Sequence, residues 1–128
     1  MKAAFGSLLG LWVLFIIQTF VGYFGVQNEI TGWLNRAQVA AEAKQIHENM
    51  LKVKEGMERR GITRGYAAWV WKTPDYNMEE IYKAVLALVD RSANIAEMDK
   101  TSTTYQVALD DIRGTTRELE LHAWGYVW

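Results

Sequence analysis

Two histidines, His47 and His122, are the only imidazoles in the chain, and cysteine is absent. A zinc or haem site draws on several clustered His and Cys ligands. These two histidines lie far apart on separate predicted helices, so no metal or cofactor is expected. His47, beside Ile46, reads as a solvent-facing or hydrogen-bonded side chain rather than a catalytic one. Carboxylates cluster at Asp110 and Asp111, next to Arg113, and again at Glu118 and Glu120. Adjacent residues on a helix point to different sides, so these groups form a solvated face and do not converge as an acid–base pair. Gly61, Arg64 and Gly65 are not followed by the lysine and hydroxyl that a phosphate loop requires. Lys52, Lys54, Arg59 and Arg60 are interleaved with Glu55 and Glu58, an ordinary mixed helix surface. The chain is therefore not expected to be an enzyme, and no catalytic residue is assigned.

Bulk charge removes another class of function. The 14 basic and 15 acidic side chains leave a net charge of -1, too balanced for a nucleic-acid partner. Six Trp, six Tyr and four Phe in 128 residues point instead to contact surfaces, because aromatic rings are favoured in cores, interfaces and membrane boundary belts. The length allows one membrane span and one small domain, and not two independent cores.

The first element to place is the apolar run Ala3–Val26, which contains no charged residue. A helix of ~24 residues covers a hydrocarbon core about 30 Å thick, so residues 1–28 are expected to form a transmembrane anchor. Gly6 and Gly10 make a small-residue pair at helical spacing, and Gln18 is an amide that would seek a partner inside the bilayer. A cleavable signal peptide is the competing reading, since Lys2 precedes the run. The run is too long for that, and GYFGV at positions 22–26 offers no cleavage site, so the anchor is expected to be retained. Lys2 on the amino side against Glu29 beyond the run places the carboxy-terminal domain outside the cell membrane.

Residues 29–60 are expected to continue as an amphipathic stalk helix. Val39, Ala43, Ile46, Met50, Val53 and Met57 recur at alternating steps of four and three, the heptad spacing of a narrow apolar stripe. Either the rest of the domain or a second chain, in a short coiled coil, must cover it. Residues 61–128 then form a compact head. Gly56, Gly61 and Gly65 interrupt the pattern, and the aromatic segment Tyr66–Trp71, with Trp69 and Trp71 at alternate positions, reads as a short strand. Pro74 at a first helical position, or Asn77 as N-cap with Glu80 three residues on, opens a helix whose apolar face runs through Met78, Ile81, Val85, Leu88 and Ile95. The Thr and Ser cluster at 101–104 caps a second helix bearing Tyr105, Leu109, Ile112 and Thr116, antiparallel to the first. In the tail, Trp124 and Trp128 again alternate with smaller residues, which allows a small ribbon with the Trp69 segment or an interfacial aromatic belt.

The expected fold class is thus mainly α: a transmembrane helix continuing into an amphipathic helix, then a small helical-hairpin domain with one or two short aromatic β segments. The expected partners are the lipid bilayer and another protein or a second copy of the chain. The expected role is that of a non-enzymatic single-pass membrane subunit or assembly scaffold. The order of parts, an apolar amino-terminal helix leading into an amphipathic one and a compact head, resembles that of type IV pilins and pseudopilins. That resemblance implies a filament or secretion subunit as the alternative role. The motif at its start differs: Gly6 precedes Ser7, Lys2 is the only basic residue, and no acidic residue occurs before Glu29.

Overall fold

The computed structural model describes residues 2–65 and 77–124, with the side chains of 2–5, 23, 26–28 and 121–124 excepted. Helix α1 spans Lys2–Val26 and is apolar all round. Within it, the Thr19 hydroxyl donates to the Phe15 carbonyl at 2.8 Å, so that polar group is satisfied inside the helix. A π-helical turn, Gln27–Thr31, joins α1 to the short helix α2, Gly32–Gln38. Helices α3 (Ala43–Arg59), α4 (Met78–Ala96) and α5 (Thr103–Trp124) complete the described elements.

Four of these segments close on one another: α2 packs on α3, α3 on α4, α4 on α5, and α5 back on α2. Side-chain pairs give the directions. His47 meets Val89 and Ser92, whereas Glu58, further along α3, meets the earlier Tyr82 of α4. Gln38 pairs with Glu120, while Ala40 and Ala43 pair with the progressively earlier Arg113 and Tyr105. Opposed numbering of this kind means antiparallel neighbours, so the domain is an up-down-up-down four-helix arrangement with α1 projecting from its first member. Its core holds Ile30, Leu34, Ile46, Met50, Met57, Val85, Leu109 and Ile112, each at most 2% exposed.

Helix starts follow local chemistry. Asn77, one of the two openings the sequence offers, accepts from the Glu79 backbone N–H at 3.0 Å and caps α4. Ser102 accepts from the Tyr105 N–H at 3.1 Å and opens α5, inside the expected Thr and Ser cluster. Helix α3 is different. Glu42, extended before it, makes no side-chain cap, and the Tyr105 phenol oxygen accepts the Ala43 N–H instead at 3.1 Å.

Four sequence expectations need correction. The stalk over 29–60 is not one helix: it widens into the π turn and breaks at residues 39–42, so the stalk belongs to the bundle rather than supporting it. No glycine or proline marks that break. It is held by α5, whose Arg113 Nε donates to the Ala40 carbonyl at 2.9 Å, satisfying a backbone group that a continuous helix would have satisfied internally. Val39, placed on the stripe by spacing, lies in the break and is 81% exposed. Gly56 does not interrupt a helix: it sits inside α3, buried, and among the described residues only Gly61 and Gly65 take positive φ, at 67° and 85°. Finally, no strand occurs among the described residues. The Trp69 and Trp71 segment and Trp128 lie outside them, while Trp124, expected in a ribbon, ends α5.

Candidate functional site

The side chains singled out by spacing separate into two groups. Ala43, Ile46, Met50, Val53 and Met57 converge in the bundle core, none more than 1% exposed, so intramolecular packing covers the stripe. Gly6, Gly10 and Gln18 stand on α1, clear of the bundle, and a Cβ at either glycine would have nothing within 4 Å. Around them, large apolar side chains face outward on every side: Leu8, Leu11, Trp12, Leu14, Phe15, Phe20 and Val21 are 59–71% exposed. Among the described residues no helix is long and apolar enough to cross a membrane.

Where α1 enters the bundle, residues distant in sequence meet. Glu29 Oε2 accepts from Arg60 Nε at 3.0 Å, and its other oxygen lies 3.5 Å from an Arg59 guanidinium nitrogen. The Arg60 guanidinium continues onto Gly25 of α1, where a Cβ would stand 2.8 Å from Cζ. Behind this pair the chain passes so close to α3 that a Cβ on Gly56 would sit 2.9 Å from the Glu29 carbonyl oxygen. Reading by sequence assigned Arg59 and Arg60 to mixed helix surface and missed this junction. A thirty-one-residue separation between Glu29 and Arg60 leaves no periodic signal to find.

The polar groups weighed for chemistry are tied into local pairs. His47 Nδ1 lies 2.9 Å from the Val89 carbonyl, which fixes that nitrogen as the donor, and 3.3 Å from the Ser92 hydroxyl. Asp111 pairs with Arg91 across α4 and α5, and Asp110 with Arg113 at 3.2 Å. The two aspartates thus face different partners, as their adjacency on a helix requires. His122 lies beyond the described side chains, and no group of three His, Asp or Glu able to hold a metal occurs among the described residues. An open groove of about 690 Å³ lies between the end of α3 and the start of α4, lined in part by Glu58, Arg64, Glu79, Tyr82 and Lys83. Within it the Tyr82 hydroxyl donates to Glu58 at 2.5 Å, and Lys83 bridges Glu79 and Glu80. The Tyr82 hydrogen bond holds the Glu58 carboxyl below its usual range and pushes the phenol above its own.

No family model matches the chain, and neither the curated proteins nor the solved structures include a significant match.

Proposed function

We propose that α1 anchors this chain in a lipid bilayer and presents the four-helix bundle at the membrane surface, where it acts as a non-enzymatic subunit or scaffold through protein contacts. The observation that carries the reading is the outward, all-round apolar surface of α1. A helix hydrophobic on every face belongs in a core or a membrane, and among the described residues no bundle helix packs along it. Left in water, so large an apolar surface would drive association. Over its full length α1 has charge only at Lys2, and its 25 residues amount to about 37 Å, enough for a hydrocarbon core with some tilt.

The contact surface offered to partners changes once the bundle is known. With the α3 stripe occupied internally, Gly6, Gly10 and Gln18 on α1 are the residues left for a neighbouring membrane helix, from another protein or a second copy. Lys2 at the amino end supports placement of the bundle on the outer face of the cell membrane. The pilin-like alternative has less support, because the π turn and the break at 39–42 interrupt the long helix that such a subunit uses. Sequencing the mature amino terminus separates the two: an intact Met1 weakens the filament reading, and a start at Ala3 or beyond strengthens it.

Alkaline extraction of membranes from cells expressing the full chain tests the anchor. The chain is expected in the pellet. Replacing Leu14 and Ile17 by Arg places two charges mid-helix at about 2.5–3.5 kcal/mol each on insertion scales, and should move it to the supernatant or to aggregates. Recovery of the unaltered chain in the supernatant would overturn the anchor.

A further inference from the structure

The junction between α1 and the bundle combines a weak point with a brace across it. A π-helical turn has one residue more per hydrogen-bonded ring than an α-helix, and such turns are common places for a helix to bend. Gln27–Thr31 is that turn. Elsewhere in the fold, Thr19, Thr115 and Thr116 donate their hydroxyls to the carbonyl four residues back. Thr31, at the end of the π turn and 8% exposed, has a buried hydroxyl with no hydrogen-bond partner. The joint thus lacks the bond to the carbonyl four residues back that those three threonines make.

Arg60 lies across this joint from outside. It is the C-cap of α3, with its backbone N–H bonded to the Gly56 carbonyl at 3.2 Å, so its origin is fixed in the bundle. Its guanidinium binds Glu29 inside the π turn and rests on Gly25 before it, and Arg59 adds a second cation to the same carboxylate. One side chain rooted in α3 thereby touches the turn itself and the end of α1 before it. Only glycine at position 25 leaves room for it to lie against the backbone of α1.

We propose that Arg60, braced by Glu29 and lying on Gly25, is a strap across the π-helical joint that holds α1 in one direction relative to the bundle. Released, the joint lets the bundle swing on its anchor while both parts stay folded. This inference rests on the reading of α1 as the anchor for its setting, and on the junction geometry for its content.

The absence of cysteine permits a clean test. Spin labels on Val21→Cys in α1 and Glu48→Cys in α3 report the direction of α1, and labels on Glu48→Cys in α3 and Glu97→Cys at the C-cap of α4 report the bundle. Both measurements use the full chain in phosphatidylcholine bilayers and again in detergent micelles. The unaltered chain is expected to give one narrow distance for each pair. Glu29→Gln and Arg60→Gln should each broaden the α1 pair at least twofold and leave the bundle pair narrow. Gly25→Leu, which displaces the guanidinium without removing a charge, should broaden it too. An α1 pair that stays narrow in both charge variants overturns the strap. Broadening of the bundle pair together with the α1 pair also overturns it, since these residues would then be holding the bundle itself. Failure of the chain to enter bilayers bears on the anchor alone, because the micelle measurement still reads the joint.

Discussion

Gly56 and Gly114 are both helical glycines with opposite surroundings. A Cβ at Gly56 would press on backbone at the Glu29 carbonyl, 2.9 Å away, and on Cγ1 of the fully buried Ile30, 3.2 Å away, neither of which is the free end of a flexible side chain. Gly56→Ala should therefore destabilise the bundle by about 1–3 kcal/mol, the usual range for overpacking. At Gly114, in α5, nothing lies within 4 Å of the new methyl, so Gly114→Ala should stabilise by about 0.5–1 kcal/mol through the lower conformational freedom of the unfolded chain. Thermal melting of the two variants side by side should show shifts of opposite sign. Ionisation acts at the same scale. The hydrogen bond from Lys100, and then its charge, lowers the Glu42 carboxyl below its ordinary 4.5, and hydrogen bonds from Thr101 lower Asp99 below 3.8. Glu58 is lowered in the same direction by Tyr82. A carboxylate depressed in the folded state adds stability above its unfolded value and loses it as pH falls through the folded one. Melting temperature should hold through neutral pH and fall as pH drops below about 4.5, and Glu42→Gln should flatten only a small part of that fall, because the pair is exposed and screened.

At the scale of elements, α3 is held by its buried stripe and by a cap borrowed from α5. Ile46 and Met50 are fully buried, so an aspartate at either must lose its hydration without gaining a partner. Ile46→Asp with Met50→Asp should cost several kcal/mol, comparable to the whole stability of a small domain, and abolish cooperative helical melting by circular dichroism. Lys44→Ala, on the exposed side, should change little. Tyr105→Phe removes the acceptor of the Ala43 N–H and leaves a buried donor without a bond, and it should cost about 1–3 kcal/mol in the same measurement. The apolar periodicity of α4 and α5 made both helices and their antiparallel pairing legible, because each presents a broad face and carries its own cap at Asn77 or Ser102. The break at 39–42 was not legible. Its residues, Val39, Ala40, Ala41 and Glu42, suit a helix, and the groups that stabilise the break, Arg113 and Tyr105, lie more than sixty positions away.

For the whole molecule, the separation between α1 and the bundle is the feature on which the proposed function rests. If Gly6, Gly10 and Gln18 form a packing face, the full chain in mild detergent should run as a dimer or larger particle, and Gly10→Ile with Gln18→Leu should reduce it to the monomer without altering the bundle melt. Size-exclusion chromatography with light scattering gives that answer, and a particle that is monomeric before any substitution would sink the proposed contact. The sequence by itself determined the parts list: an apolar helix at the amino end and amphipathic helices whose stripes had to be covered. Those properties are local, set by composition and by periods of three to four residues, and they persist in any arrangement of the chain. Only the tertiary structure decided that the α3 stripe is spent on its own bundle, that the stalk folds back instead of extending, and that Arg60 reaches Glu29 and Gly25. Each of these depends on which distant surfaces meet, and the free energy that selects the meeting comes from burial shared among helices, a quantity that no single segment carries.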